Sequence, residues 1–465
     1  MNTVLILLVA AVCGGTFFLK PSEAPGALAM CAVAALPTLI ILARTPEQRT
    51  FLMRLFVLAL VVRIMLAVVI NVGHMEEFFG GDANTYDAYG QSLAEAWNGN
   101  EYHQGKYESF VMSGATAWGM VYLVAAVYQV VGANMLAIQL INAAVGAATA
   151  IVVYFAAQTL FSNKRVSQVA AILVAFFPSL VLWSSQALKD GLIIMALALA
   201  ILATLRLMEK VTATYVLVLI VCLIALFSLR FYIFYMMCAA VAGSFFLGMK
   251  SLSAQGFLQR FIAVGFIGLA FTWFGVLQSA GTQFERYANL KSIQNSREDQ
   301  AAAGSGFMKD VDVQTTEGAL TVIPVGLLYL MFAPFPWQFT TLRQSITLPE
   351  MIIWWFSFPL LVLGLWYSVK HRLRQVSPII IFTSMLTLAY SLFQGNVGTA
   401  YRQRSQLLVF YFIFVAVGAI IMKERAEVRR YQQKLAKQEL AELQAARVLA
   451  RRKGADVQHG STASV

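Results

Sequence analysis

The residues able to do chemistry in this chain are few, and they cluster at the edges of apolar runs. The first is Asp82, in "FFGGDANTYD". Gly80 and Gly81 let the backbone turn sharply before it, and the spacing after it ("YDAYGQSLAEAW") predicts a helix. A carboxylate there reads in two ways: as an N-cap, for which Asp is favoured, or as a general base held at a membrane surface. Asp87, one turn further on, either binds a polar acceptor group or faces water. The second group is Lys189 and Asp190, in "FFPSLVLWSSQALKDGLII". Pro178 loosens the end of one apolar run, and Lys189 and Asp190 open the next. An Asp at a helix start is favoured by the dipole, and a neighbouring Lys can snorkel; the functional alternative is that both line a water-filled cavity. The third group is Arg230 in "SLRFY" with Arg402 and Arg404 in "GTAYRQRSQ". Guanidinium forks match phosphate oxygens, while lipid headgroups or the acidic first loop would serve them equally well. Arg63, in the middle of the run "LVVRIML", carries no site expectation. His74, His103, His371 and His459 are scattered with no H-x-x-x-H or H-E-x-x-H pattern, and no P-loop occurs, which argues against a zinc enzyme and against ATP-driven transport.

The elements that must position these residues are membrane helices. Of 465 residues, 59% are hydrophobic and 12% charged, with a mean hydropathy of +0.70. A soluble chain carries roughly twice that charged fraction. Apolar runs of about 20 residues, the length one helix needs to cross a bilayer, recur along the chain. The runs predict spans at 3–19, 26–43, 55–73, 135–161, 166–183, 190–207, 213–229, 231–248, 258–278, 350–369, 377–394 and 406–422. The first lacks a basic leader and a cleavage site, so it reads as an uncleaved helix. All four cysteines (Cys13, Cys31, Cys222, Cys238) lie in apolar runs, so no disulfide framework is expected.

Basic loops set the orientation. The segments "RTPEQRTFLMR" (44–54), "SNKR" (162–165), "KHRLR" (370–374) and the tail from Lys423 belong in the cytoplasm. The loop 74–113 holds seven acidic residues and one lysine, so it belongs outside. If 114–131 crossed the membrane, "SNKR" would land on the acidic side. That stretch is therefore expected to lie in the interface or dip and return, anchored by Trp118, Tyr122 and Tyr128. The stretch 318–339, broken by Pro334 and Pro336, is expected to do the same. The expected fold is an all-α polytopic membrane protein of about twelve spans plus interfacial or re-entrant helices, with both termini cytoplasmic. Its parts are an N-terminal hairpin and basic loop (1–54), a transmembrane domain (55–422) with outer loops 74–134 and 279–349, and a basic helical tail (423–465). The tail's partner is expected to be anionic lipid, the middle of 279–349 is expected to be flexible, and the net charge of +11 reads as topology rather than nucleic-acid binding.

The order of these features resembles the GT-C superfamily of membrane glycosyltransferases. The elements that carry the likeness are the acidic first outer loop "GGDANTYDAY", the interfacial helices after it, "AIQLI" (137–141), the basic turn "LFSNKR", and the outer turn "PSLVLWSSQALKDG". The likeness covers residues 55–420, most closely 75–200. It implies a catalytic base or acceptor-activating role for Asp82 and an acceptor- or metal-binding role for Asp190, with Asp87 and Lys189 as further candidates. "GNVGTAYRQRSQLLVF" is similar to a Gly-Thr-x-x-Arg-x-Arg element of bacterial polysaccharide-assembly proteins, which puts Arg402 and Arg404, with Arg230, at a donor phosphate. Two spans precede the usual first helix of that fold, and no large soluble C-terminal domain follows, unlike an oligosaccharyltransferase. Asp82 is followed by Ala83 and Asn84 rather than a second acid, which leaves a divalent cation open.

The implied function is transfer of a sugar from a polyprenyl-phosphate or diphosphate donor to a hydroxyl on a glycan, lipid or protein acceptor outside the membrane, with inversion. The alternatives are a polysaccharide polymerase or ligase using lipid-linked glycans, and a transporter or flippase for such a glycan. A transporter predicts internal repeats, and none is evident.

Overall fold

A computed structural model describes residues 3–112, 118–248, 290–302, 305–308, 311–338 and 342–460. The span expected at 258–278 lies outside the described residues. Among those described the chain is almost wholly helical, with one isolated β-bridge between Gly306 and Asn396.

The N-terminal part is α1 (Thr3–Leu19), α2 (Ala24–Arg44) and α3 (Arg49–Val72). The first acidic loop folds as α4 (Glu76–Phe79), α5 (Asp82–Trp97), α6 (Glu101–Met112) and α7 (Trp118–Val131). Next come α8 (Met135–Phe161), α9 (Lys164–Phe176), α10 (Pro178–Trp183), α11 (Asp190–Glu209), α12 (Ala213–Leu229) and α13 (Phe231–Gly248). The last part holds α14 (Leu290–Ala301), α15 (Thr316–Phe332), α16 (Leu342–Ser345), α17 (Leu348–Phe393) and α18 (Val397–Gly460). By length and composition, six helices among the described residues are apolar enough to cross a bilayer: α2, α3, α8, α11, α17 and α18. One of the six is a folded pair, because α17 breaks at Arg372, whose backbone is non-helical.

Buried helix α8, with Leu136, Ala137 and Leu140 fully enclosed at its start and Ala156 and Ala157 near its end, is the post on which α2, α3, α9 and α11 pack. Small residues along it (Ala143, Ala144, Gly146, Ala147, Ala150) bring backbones close, which is how helices associate without a hydrophobic driving force from lipid.

The bundle has two unlike ends. At one, Gln168 of α9 bonds Gln48 before α3 at 2.9 Å, Arg372 donates to Leu160 O at the end of α8 at 2.9 Å, and Arg165 lies 3.9 Å from Glu427. The four basic segments 44–54, 162–165, 370–374 and the start of the tail therefore share this end. The opposite end carries Asp82, Asp190, Arg230 and Arg402. Helix α7 begins and finishes there: Gly119 packs on Ser228 at the close of α12, and Val131 packs on Gly26 at the opening of α2. Helix α15 likewise keeps to this end: Gly326 in its second half packs on Ser391 near the close of α17, and near its own close Met331 O accepts from the Trp354 indole at 2.6 Å. Neither reaches the basic end.

Three expectations are corrected. The apolar run 166–183 is not one helix, because Phe177 is extended and α10 restarts at Pro178, consistent with the steric restriction on a residue before proline. The middle of 279–349 is not all flexible loop: 290–301 is helical, pinned by Arg297, which is 1% exposed and donates to Gln394 O at 2.7 Å. The last helix starts at Val397 rather than 406 and continues unbroken through Gly460, so span and tail are one rod of roughly 96 Å at 1.5 Å per residue.

Candidate functional site: an arginine between two aspartates

Asp190 opens α11 and is fully buried. Its Oδ2 accepts from Arg402 Nε at 2.9 Å and Nη2 at 2.6 Å. Its Oδ1 has no hydrogen-bond partner among the described residues and lies on the side of Arg230, whose Nη2 is 3.8 Å away. Arg402 stands in the second turn of α18 and also donates through Nη1 to Asp82 Oδ2 at 2.8 Å. One guanidinium thus joins a carboxylate at 0% side-chain exposure to one at 53%, and the pair spans depth from the interior to the mouth. The Arg402 guanidinium lies 5.7 Å from the Trp183 ring.

Asp82 is the first residue of α5, and the cap position before it is taken by Gly81. The cap reading is therefore overturned: its carboxylate is turned to Arg402. Lys189 precedes α11 with its ammonium 5.8 Å from the Tyr86 ring centre. Burial, then the Arg230 charge, lower the Lys189 ammonium to about 7, against the partial opposition of Asp190 and Asp82. Burial, followed by Asp82 and Asp190, raises the Tyr86 phenol. Arg343 of α16 donates to Phe79 O at 2.8 Å, next to the Gly80–Gly81 turn. Burial and then the Arg402 charge lower it, which puts it within electrostatic reach of the cluster.

The turn that delivers Lys189 and Asp190 is held from below. Asn142, fully buried in α8, donates to Gln186 O at 2.6 Å and Leu188 O at 2.7 Å. Arg63 of α3 donates to Ser184 Oγ at 2.8 Å and to Ala175 O at 2.7 Å, so this mid-span cation serves carbonyls that the break at Phe177 leaves without helical partners. Gly146 is required at this point, since a Cβ there would sit 2.4 Å from Ser184 Cβ.

Not every expected residue converges here. Arg404 is buried on another face of α18, donating through Nη1 to Met331 O at 3.1 Å and Ala333 O at 3.0 Å. Residues two apart on a helix project about 200° apart, so Arg402 and Arg404 cannot share a ligand once 397–405 is helical. Asp87 accepts a very short hydrogen bond from Tyr128 and ties α5 to α7; burial raises its carboxyl and that bond partly offsets the rise. Sequence reasoning missed Tyr86, Trp183, Arg343 and the positioning pair Arg63 and Asn142. A polar residue deep in an apolar run was the available signal for the last two.

For a divalent cation, the two aspartates do not fit as they stand. Both are bonded to Arg402, which would have to withdraw, and no group of three or more His, Cys, Asp or Glu residues is placed to hold a metal among the described residues.

No curated protein matches the chain. Residues 117–276, roughly a third of the chain, match the dolichyl-phosphate-mannose-protein mannosyltransferase family, which contains Lys189, Asp190 and Arg230 within the matched segment and leaves Asp82 and Arg402 outside it. By that match the chain is similar to the GT-C membrane glycosyltransferases, the resemblance its sequence carries.

Proposed function

We propose that this protein transfers a sugar from a polyprenyl-phosphate or diphosphate donor to an acceptor hydroxyl of a cell-surface glycan, lipid or protein, at the end of the bundle that carries Asp82. That end faces outward and the basic end faces the cytoplasm with both termini, as the positive-inside rule requires. The tail's basic face then meets anionic lipid. The observation that carries the reading is the polar cluster itself: Arg402 joined to Asp82 and Asp190, with Arg230, Lys189 and Arg343 around it. The cations outnumber the carboxylates, so the site as built favours an anion, and a lipid phosphate is an anion that arrives laterally from the bilayer.

Asp82, half exposed at the mouth, takes the acceptor's proton as its oxygen attacks the anomeric carbon. The bond from that carbon to the donor phosphate oxygen breaks from the opposite face, inverting the configuration. Negative charge grows on the departing phosphate, where Arg402 and Arg230 stabilise it and Arg343 and Lys189 add hydrogen-bond donors. Such preorganised donors are worth about 2.7–4 kcal/mol each in the transition state. Asp190 holds Arg402 in place from beneath. The same excess of cations also suits a polymerase or ligase acting on lipid diphosphate-linked glycans, the second reading. The test is a profile of surface glycans and glycolipids from cells carrying Asp82→Asn, against wild type and a deletion at matched protein levels. Loss of the same sugar in the variant and the deletion supports transfer; a wild-type profile in the variant contradicts it.

A further inference from the structure

We propose that the donor's sugar is gripped one helical turn beneath Arg402, in a polar layer between α11, α13, α17 and α18, and that it is an uncharged sugar presenting a hydroxyl there. The inference rests on the transferase reading and adds which part of the donor goes where. Three buried polar atoms have no hydrogen-bond partner among the described residues: Asp190 Oδ1, Arg230 Nη1 and Gln406 Nε2. Buried polar atoms in native proteins are overwhelmingly paired, and an exception marks a place for a bound group. These three belong to one chain of contacts. Arg230 Nη2 is 3.8 Å from Asp190 Oδ1. The Arg230 guanidinium also meets the Tyr390 hydroxyl and lies 5.9 Å from the Tyr232 ring centre. Tyr390 donates to Gln406 Oε1 at 2.7 Å, which leaves the Gln406 amide NH2 for another partner, and the Tyr232 and Tyr390 hydroxyls are 3.5 Å apart. Gln406 follows Arg402 by four residues on α18, so the two share a face, and Gln406 lies roughly 6 Å deeper at 1.5 Å per residue. One sugar ring spans that step. A donor whose phosphate rests on Arg402, with its anomeric carbon under Asp82, directs the far edge of its ring at the three atoms.

The three atoms select the class of sugar. Asp190 Oδ1 accepts, while Arg230 Nη1 and Gln406 Nε2 donate. A hydroxyl serves both kinds at once, because it has one proton to give and two lone pairs. An ammonium has no lone pair for Arg230, and a carboxylate has no proton for Asp190; each would set a charge against its like where water is excluded. The matching group is a hydroxyl, from a sugar ring or from water, and its place beneath the phosphate-binding cations favours the sugar. A site built to bond a substrate hydroxyl discriminates strongly, since its absence strands buried groups.

The experiment measures binding rather than transfer, with the full-length protein in nanodiscs. The probes share one polyprenyl chain and one phosphodiester and differ in what the phosphate carries. That group is glucose, mannose, galactose or arabinose; glucosamine; glucuronate; or a methyl group in place of any sugar. Wild type ranks a neutral sugar ester first and binds it roughly tenfold more tightly than the methyl ester. Gln406→Met removes the NH2, keeps the length of the side chain, and cuts that ratio roughly tenfold. Tyr390→Phe frees the amide that Tyr390 orients and cuts the ratio about threefold. Equal affinity for sugar esters and methyl ester means that the three atoms hold water only, which overturns the inference and leaves the transferase reading standing. Binding of none of these lipids removes both. An aminated or acidic ester in first place, or an unchanged ratio in both variants, also overturns the inference. Should Gln406→Met lower the thermal midpoint of the protein, Tyr390→Phe decides alone.

Discussion

Arg402 and Arg404 are two residues apart on one helix, carry the same group, and live in opposite worlds. Around Arg402 are carboxylates at graded depth, a phenol, a lysine and an open mouth. Around Arg404 are the carbonyls of Met331 and Ala333, the Met351 sulfur and the Tyr401 ring 5.2 Å away, with Tyr401 donating to buried Glu350 at 2.6 Å. The Trp183 ring stands between the two regions, 5.7 Å from the Arg402 guanidinium and 6.3 Å from the Tyr401 ring. One arginine is a bracket: its donors close the carbonyls at the end of α15, where proline-containing loop follows and no helix can. The other is a bridge whose partners are carboxylates that a substrate can compete for. The difference teaches that a guanidinium's role is set by what its donors meet, carbonyls that never leave or anions that exchange.

That contrast can be broken in three ways, in order of expected effect. Arg404→Ala removes the bracket and strands two buried carbonyls, each costing about 1–3 kcal/mol. It should lower the unfolding midpoint in detergent steeply and reduce the yield of folded protein; an unchanged midpoint would deny the bracket role. Arg402→Lys keeps a cation beside Asp190 but loses the fork that reaches two carboxylates at once. Folding should survive while transfer falls by roughly 10²–10³-fold, read as initial rate at matched protein. If Arg402→Lys unfolds the protein and Arg404→Ala does not, the assignments are reversed.

The third is a pH dependence. Lys189 titrates at about 7 in the folded chain, below its ordinary value of about 10.4 in the unfolded chain. Between those values the unfolded chain binds the extra proton, so stability rises with pH across that window and is level below about 7. The thermal midpoint of wild type should therefore climb from pH 7 to 9 more than that of Lys189→Met. Parallel curves would mean that Lys189 stays charged beside Asp190.

Much of this is legible in the sequence alone. The edges of α8, α12 and α13 fall where the apolar runs at 135–161, 213–229 and 231–248 begin and end, because in lipid the length of a run and the length of a helix are one constraint. Asp82, Asp190, Arg230 and Arg402 stood out as charges at the rims of such runs, and they do converge. Arg402 and Arg404 were not separable, since the Gly-rich "GNVGTAY" reads as a loop, and only its helical backbone turns them apart. Helix α14 was invisible because its anchor, Arg297, is a tertiary contact with carbonyls a hundred residues away rather than a periodic apolar face. Arg343 enters through the folding of a distant loop, for which no local pattern exists, whereas Tyr86, four residues after Asp82 on the expected helix, shares its face and was open to an i, i+4 reading.

The most direct test of the central claim is transfer by purified protein in liposomes from a polyprenyl-phosphate-linked sugar, comparing wild type with Asp82→Asn. Asn keeps the size of Asp82 and a hydrogen-bond acceptor toward Arg402 but cannot take a proton. A positioned base contributes roughly 10²–10⁴-fold, so the variant should bind donor with near-normal affinity and lose transfer on that scale. Transfer at the wild-type rate by Asp82→Asn would contradict the account and leave the joined aspartates a structural clasp.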